Sequence, residues 1–317
     1  MSTPIDVLSV TALSPLLEPQ IRSTFNLHDR LHESDPAAFE LVAPRIRAIA
    51  ASGESKVTEE LMARLPALEL ISVFGVGYDG IDVGAAKARN VVVTHTPNVL
   101  NDDVADLALG LMLAAARQIP AADRYVKAGQ WPVKGPVPLA RKVSGSRLGI
   151  VGMGRIGQAI AKRAAAFDMD IAYHTRNARP DVPLRHVSSL VELATQSDYL
   201  VVITPGGAGT KHLIDAQVIG ALGKKGILVN VARGSVVDEA ALIAALMEGE
   251  LGGAGLDVFE SEPNVPQALR DMAHVVLSPH IGSATVQTRQ AMADLAFGNL
   301  TSHFDGQGVR TPVPECA

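Results

Sequence analysis

The chain has almost no cysteine: of 317 residues only Cys316, beside the C-terminus, carries a thiol. One thiol cannot make an intrachain disulfide or a multi-cysteine zinc site, and it suits a reducing, cytoplasmic setting. Blocks of positive charge are missing too. The formal net charge is −5 and acidic and basic residues are interspersed, so the electrostatic footprint of a nucleic-acid-binding protein is not there. The start "MSTPIDVLSV" has no basic segment followed by an apolar one, and the longest notable apolar run, Leu107 to Ala116, is stopped by Asp106 and Arg117 well short of a bilayer's width. Neither nucleic acid nor a membrane is expected as a partner. Nor does the composition fit a disordered chain, because 47% of it is apolar, enough for a substantial core in two ordinary domains or one large α/β unit.

What is present is a regular alternation. Ten apolar runs, "IDVLSV", "IRAIAA", "LELISVF", "VVVTH", "RLGIVGM", "DIAYH", "YLVVIT", "GILVNVA", "GAGLDVF" and "HVVLS", have the composition of strands. Segments of helical period such as "TEELMARL", "DDVADLALGLMLAAARQ", "RIGQAIAKRAAAF" and "DEAALIAALMEG" lie between them. Continuous apolar strands separated by helices predict parallel sheets covered on both faces, a doubly wound α/β architecture.

Two strand-turn-helix units carry the spacing G-x-G-x-x-G: "GVGYDG" from Gly75 to Gly80 and "GMGRIG" from Gly152 to Gly157. After Gly80 only a short segment precedes the next strand, whereas Gly157 opens a full amphipathic helix followed by the strand "DIAYH". The second unit is therefore the dinucleotide candidate, with Gly152, Met153, Gly154, Arg155, Ile156 and Gly157 around the pyrophosphate and the helix N-terminus facing it. At the end of the following strand an NAD site would carry an acid to grip the ribose; this chain has Thr175, Arg176 and Asn177 instead. A guanidinium pairs with a 2′-phosphate where a carboxylate would repel it, so NADPH is the expected cofactor and NADH a weaker one.

Three further strands end in polar residues, where ligands sit in open parallel sheets: "VNVARGSVVDE", "GLDVFESEP" and "SPHIGSAT". Hydride transfer between a nicotinamide and a ketone needs a proton donor, a group that orients it and a cation for a substrate carboxylate. His280, Glu262 and Arg233 supply one of each.

The ordered set "GVGYDGID", "DDVADLALGLML", "GIVGMGRIGQAIAKRA", "NVARGSVVDEAAL", "GGAGLDVFESEP" and "LSPHIGSAT" resembles the D-isomer-specific 2-hydroxyacid dehydrogenases, most closely their glyoxylate/hydroxypyruvate reductase and hydroxyphenylpyruvate reductase branch. The resemblance spans nearly the whole chain. It implies two Rossmann-like doubly wound parallel-sheet domains with the active-site cleft between them: a discontinuous, flavodoxin-like substrate domain of residues 1–98 plus 288–317, and a dinucleotide domain of 99–287. It makes His280 the acid/base, Glu262 its partner and Arg233 the clamp on the substrate carboxylate, which would also meet the backbone N–H groups of Val76 and Gly77. It assigns the nicotinamide end to Asp257, Val231, Ala232, Val104 and Gly282, and places Thr204, Pro205 and Thr210 along the cofactor. Where the family often has Leu-Thr after Pro205, this chain has Gly206 and Gly207.

The expected reaction is NADPH-dependent reduction of a small 2-keto acid, glyoxylate or hydroxypyruvate, to a D-2-hydroxy acid. The rival within enzymes is a reductase of aryl-pyruvates, with pocket size set near Gly53, Leu100 and "GQWPVKGPVP". A remote alternative on the same fold is a nucleotide-sensing corepressor; a formate dehydrogenase is disfavoured because a glutamate, not a glutamine, partners the histidine. The loop around Trp131 is a candidate subunit contact, and a homodimer is expected.

Overall fold

A computed structural model describes residues 4–317. They divide into two compact units, the stretch ending at Leu100 together with Ser283–Ala317, and Asn101–Gly282.

In the first unit five strands, β1 Asp6–Ser9, β2 Asn26–Asp29, β3 Ile46–Ser52, β4 Leu70–Phe74 and β5 Val92–Thr94, form one parallel sheet in the order β2-β1-β3-β4-β5. Successive side chains of a strand point to opposite faces, and here both faces are buried. Leu8, Ile49 and Ile71 join one cluster with Phe39, Met62 and Ala86 from the helices Pro36–Val42, Glu59–Ala63 and Val83–Ala88. Their neighbours Val7, Ala48, Ala50 and Leu70 join the opposite cluster with Ile21, Ala293, Ala296 and Leu300. Most of that second cover is the helix Val286–Phe304, and the Ser72 hydroxyl donates to the Ala296 carbonyl at 3.0 Å across the contact.

The second unit holds seven parallel strands, β6 Arg147–Val151, β7 Asp170–His174, β8 Arg185–His186, β9 Tyr199–Val202, β10 Ile227–Asn230, β11 Gly253–Leu256 and β12 Val275–Leu277, in the order β12-β11-β10-β9-β6-β7-β8. Leu200, Val202, Leu228, Ala254 and Leu256 pack with the helices Leu190–Thr195, Ala216–Leu222 and Glu239–Met247. The helices Asn101–Ala116 and Arg155–Ala165 pack against each other, the first also on β10 and β11 and the second on β6 and β7. The apolar run from Leu107 to Ala116 is thus the interior face of a helix, with Ala108, Leu109, Leu111, Met112, Ala115 and Ala116 buried. The chain winds outward in one direction from β6 through β7 and in the other from β9, so the sheet switches direction between β6 and β9. Ligands of open α/β sheets bind beyond the carboxyl ends of the strands at such a switch.

Among the described residues all ten expected strands are present, and two more appear. β2 and β8 are edge strands of mixed, partly exposed side chains, "NLHD" and "RH", extended because β1 and β7 offer them backbone partners. Their composition carries no period-2 apolar signal.

Candidate active site

Because every strand of the second unit runs the same way, its six candidate loops leave one edge of the sheet. The first follows β6. Gly152 has φ +102, and a Cβ there would sit 2.8 Å from the Ile203 carbonyl oxygen; only glycine fits such a turn. A Cβ on Gly157 would run into the Gly152 carbonyl, so the third glycine lets the helix lie directly on the turn. Gly154 differs: nothing lies within 4 Å of a Cβ placed there. The open space is where a ligand would approach the backbone.

That helix, Arg155–Ala165, has no side-chain cap. The helices starting at Pro36, Glu59, Val83, Leu190, Ala216, Glu239 and Val286 are each capped by an Asp, Ser or Thr oxygen. The first-turn N–H groups at Arg155 and Ile156, reinforced by the helix dipole, are therefore left for an anion. Arg155 is exposed beside them, and the Met153 side chain is buried, which leaves that residue only its backbone to offer.

At the end of β7 the Thr175 hydroxyl donates to the Asn177 carbonyl at 2.6 Å, and His186 Nε2 meets the Thr175 carbonyl at 3.0 Å. Thr175 thus spends its proton on shaping the loop and offers a ligand its lone pairs. Arg179 is held bidentately by Asp181 at 2.9 and 2.7 Å. Arg176 is exposed and, among the described residues, makes no ion pair or side-chain hydrogen bond. The glycine turn, the uncapped helix and this cation together fit a dinucleotide carrying a 2′-phosphate.

Beyond β9, the Thr210 hydroxyl lies 2.7 Å from the Pro205 carbonyl and 3.2 Å from that of Gly207, and so closes the Thr204–Thr210 loop on itself. Gly207, one of the two glycines that depart from the family pattern, has φ +124.

The loops after β10, β11 and β12 are tied together. Asn230, buried at the end of an otherwise apolar strand, donates to the Arg233 carbonyl at 3.0 Å and accepts the Ala232 N–H at 3.1 Å. The Arg233 Nη1 group donates to the Ala232 carbonyl at 2.8 Å. Val231 N–H is taken by the Val202 carbonyl at 3.2 Å, so the Val231 carbonyl is the main-chain group of this pair without a donor among the described residues. A Cβ on Gly234 would overlap the Phe259 carbonyl group, so glycine is what lets the Arg233 loop lie on the Phe259–Glu262 loop. The Glu260 N–H donates to Glu239 Oε2 at 3.2 Å and the Glu260 carboxylate meets His212 Nε2 at 3.1 Å, further anchoring that loop. Burial pushes the Glu239 carboxyl above its ordinary value.

Glu262 accepts the Phe259 N–H at 3.0 Å with one oxygen and meets His280 Nδ1 at 2.8 Å with the other. An ionised carboxylate only accepts, so the imidazole carries a proton on Nδ1 and exchanges protons elsewhere through Nε2. His280 adopts φ +52, a conformation costing about 1 kcal/mol for a side-chain-bearing residue, and Asp257 holds it there. Asp257 is buried and takes hydrogen bonds from Ser278 Oγ at 2.7 Å, Ile281 N at 2.8 Å and Gly282 N at 2.8 Å, while its own carbonyl receives the His280 N–H at 2.8 Å. Burial pushes the Asp257 carboxyl upward against the pull of these donors. Its principal visible work is to hold the histidine loop; Oδ2, with one donor, keeps room for another. Gly282 lies under Val104, whose Cγ2 would be 3.3 Å from a Cβ at that position.

The first unit has its own polar loop after β4. There the N–H groups of Val76 and Gly77 donate to no acceptor among the described residues.

The sequence profile of the D-isomer specific 2-hydroxyacid dehydrogenase NAD binding domain matches residues 109–282. The chain belongs to the D-isomer specific 2-hydroxyacid dehydrogenase family. It is an oxidoreductase, and its second unit is the family's NAD-binding domain. It is 48% identical over 311 residues to a glyoxylate/hydroxypyruvate reductase A of Arabidopsis thaliana, covering 98% of this chain and 99% of that one. It is 47% identical over 312 residues, 98% and 99% of the two chains, to a hydroxyphenylpyruvate reductase of Plectranthus scutellarioides. Among solved structures, the NADPH-dependent glyoxylate/hydroxypyruvate reductase of Sinorhizobium meliloti, in complex with NADP and malonate, superposes with a TM-score of 0.93 at 43% identity over 99% of this chain and 98% of that one.

For this dehydrogenase, sequence reasoning named Arg233, Glu262 and His280 but missed what supports them. Asn230 was detectable, since a lone amide ending the run "ILVN" must be hydrogen-bonded when buried. His212 and Glu239 had no local signal, because each meets its partner through the stacking of separate loops.

Proposed function

We propose that this chain reduces small 2-keto acids, glyoxylate and hydroxypyruvate foremost, to D-2-hydroxy acids with NADPH as reductant and NADH as a weaker substitute. The observation that carries the reading is the His280–Glu262 pair at 2.8 Å, placed on loops locked to that of Arg233 in an NAD-binding domain. Bound NADPH supplies the hydride to the keto carbon. His280 gives the carbonyl oxygen its proton from Nε2, and Glu262 holds the ring and stabilises the cation formed when the proton is regained. Arg233 binds the substrate carboxylate, and the Val76 and Gly77 N–H groups offer two neutral donors to the same kind of group. Gly152 through Gly157 take the pyrophosphate, Arg176 the 2′-phosphate, and Val104, Val231, Ala232, Asp257 and Gly282 the nicotinamide end. One proton and one hydride enter per carbonyl, leaving NADP+ and the hydroxy acid.

NADPH is favoured by the exposed Arg176, and the Sinorhizobium relative is itself NADPH-dependent. Aryl-pyruvates are the second candidate substrates, on the 47% identity to a hydroxyphenylpyruvate reductase. We further propose a homodimer: Ile119, Val126, Trp131, Val133, Val137 and Leu139 are all exposed within one short segment, with Leu139 at 100%. The single cysteine suits work in the cytoplasm.

The test is loss of NADPH absorbance with glyoxylate, hydroxypyruvate and hydroxyphenylpyruvate in parallel. Turnover should be fastest with one of the first two, and His280→Ala should lower kcat by about 10² or more while leaving the Kd for NADPH unchanged. Absence of turnover with every keto acid overturns the proposal.

A further inference from the structure

Val76 and Gly77 raise a question that their own loop does not answer: a three-peptide turn on glycines can point its N–H groups in many directions, so something outside it must select one. Two consecutive residues just beyond β5 do so. The Thr96 N–H donates to the Gly75 carbonyl at 2.8 Å, and His95 Nδ1 lies 2.9 Å from the Val76 carbonyl. A carbonyl oxygen only accepts, so His95 carries its proton on Nδ1. Both loop peptides are trans, and in a planar trans peptide the C=O and the following N–H point opposite ways. Pinning the Gly75 and Val76 carbonyls toward residues 95 and 96 therefore turns the Val76 and Gly77 N–H groups away from them, side by side.

We infer that His95 is a positioning residue that orients the Val76–Gly77 peptide as a carboxylate receptor. A hydrogen bond to the carbonyl also polarises that peptide and strengthens its N–H as a donor. The imidazole is itself held firmly. It is buried, the Tyr78 ring packs edge-on against it at 5.4 Å and 87°, and the Tyr78 hydroxyl donates to Glu315 Oε2 at 3.0 Å. Burial and Glu315 push the Tyr78 hydroxyl to about 12, so it stays a donor. The His95 backbone is gripped at both ends by Thr311, whose carbonyl takes the His95 N–H at 3.1 Å and whose hydroxyl donates to the His95 carbonyl at 2.6 Å. Thr311 in turn is fixed by the fully buried Asn299, which donates to its hydroxyl at 2.8 Å and accepts its N–H at 3.0 Å. A path of hydrogen bonds thus runs from the helix Val286–Phe304 through Thr311 and His95 to the loop, all within the first unit.

The inference rests on the reading of Val76 and Gly77 as donors to a substrate carboxylate. Its test compares His95→Ala with His95→Asn, whose side-chain amide places a nitrogen donor at the same distance from the backbone as Nδ1. In His95→Ala the KM for glyoxylate should rise about tenfold, with kcat within about twofold and the Kd for NADPH unchanged, because what is lost is binding common to ground and transition states. His95→Asn should restore KM to within about threefold. A KM unchanged in His95→Ala, or equally raised in both variants, overturns the inference. Gly77→Pro, which deletes one of the two donors, separates the levels: a raised KM there with a normal KM in His95→Ala overturns the role of His95 alone, and a normal KM in Gly77→Pro overturns both.

Discussion

The spacing G-x-G-x-x-G occurs twice in this protein, and the two copies build different sites. After β6 the helix begins at once, at Arg155, runs to Ala165 and has no side-chain cap, so its first-turn donors are left without a side-chain acceptor, and the space around Gly154 is open. After β4 the helix begins three residues beyond Gly80, runs only over Val83–Ala88, and its Ala85 N–H is already taken by the Asp82 carboxylate at 2.9 Å. A carboxylate at a helix N-terminus both uses its donors and repels a phosphate. What remains in the first copy is the loop's own pair of N–H groups, suited to a smaller anion. The third glycine serves close packing in both, against the Gly152 carbonyl in one and the Ser55 carbonyl in the other. The spacing thus specifies a tight turn, while the start and capping of the next helix decide which anion it suits.

Three substitutions press on that contrast. The largest effect is expected from Arg176→Asp, which places a carboxylate where the 2′-phosphate would lie: KM for NADPH should rise on the order of 10²-fold and that for NADH should change little. An equal response of both cofactors would show that Arg176 does not read the phosphate. Gly154→Ala comes next. Its backbone has φ −74 and its surroundings are open, so the melting temperature should stay within about 2 °C, yet the added methyl group stands where the cofactor must approach and the Kd for NADPH should weaken about tenfold. Unchanged affinity would place the pyrophosphate elsewhere. The smallest effect belongs to Asp82→Ala, which should lower stability by about 1 kcal/mol in denaturant unfolding and leave NADPH affinity as it was. If it altered NADPH binding, the separation of the two copies would be mistaken.

Much of the fold was legible in advance because buried parallel strands are continuous apolar runs, and all ten such runs became strands. β2 and β8 were not legible, since an edge strand needs only a neighbour's backbone and its side chains stay partly exposed. Within the site, residue types were legible and their use was not always. Asp257 also anchors residues 278–282 and Thr175 also shapes its loop, supporting bonds that no local spacing records.

The sequence by itself determined the elements, the glycine turns and the identities of Arg233, Glu262 and His280, because each is written in local spacing and side-chain chemistry. Tertiary structure alone decided that Gly234 lies on Phe259 and that His95 holds Val76. The reason is geometric: parallel strands bring their carboxyl ends to one edge, so loops many residues apart become neighbours there, and no local pattern records which side chain of one will reach the next.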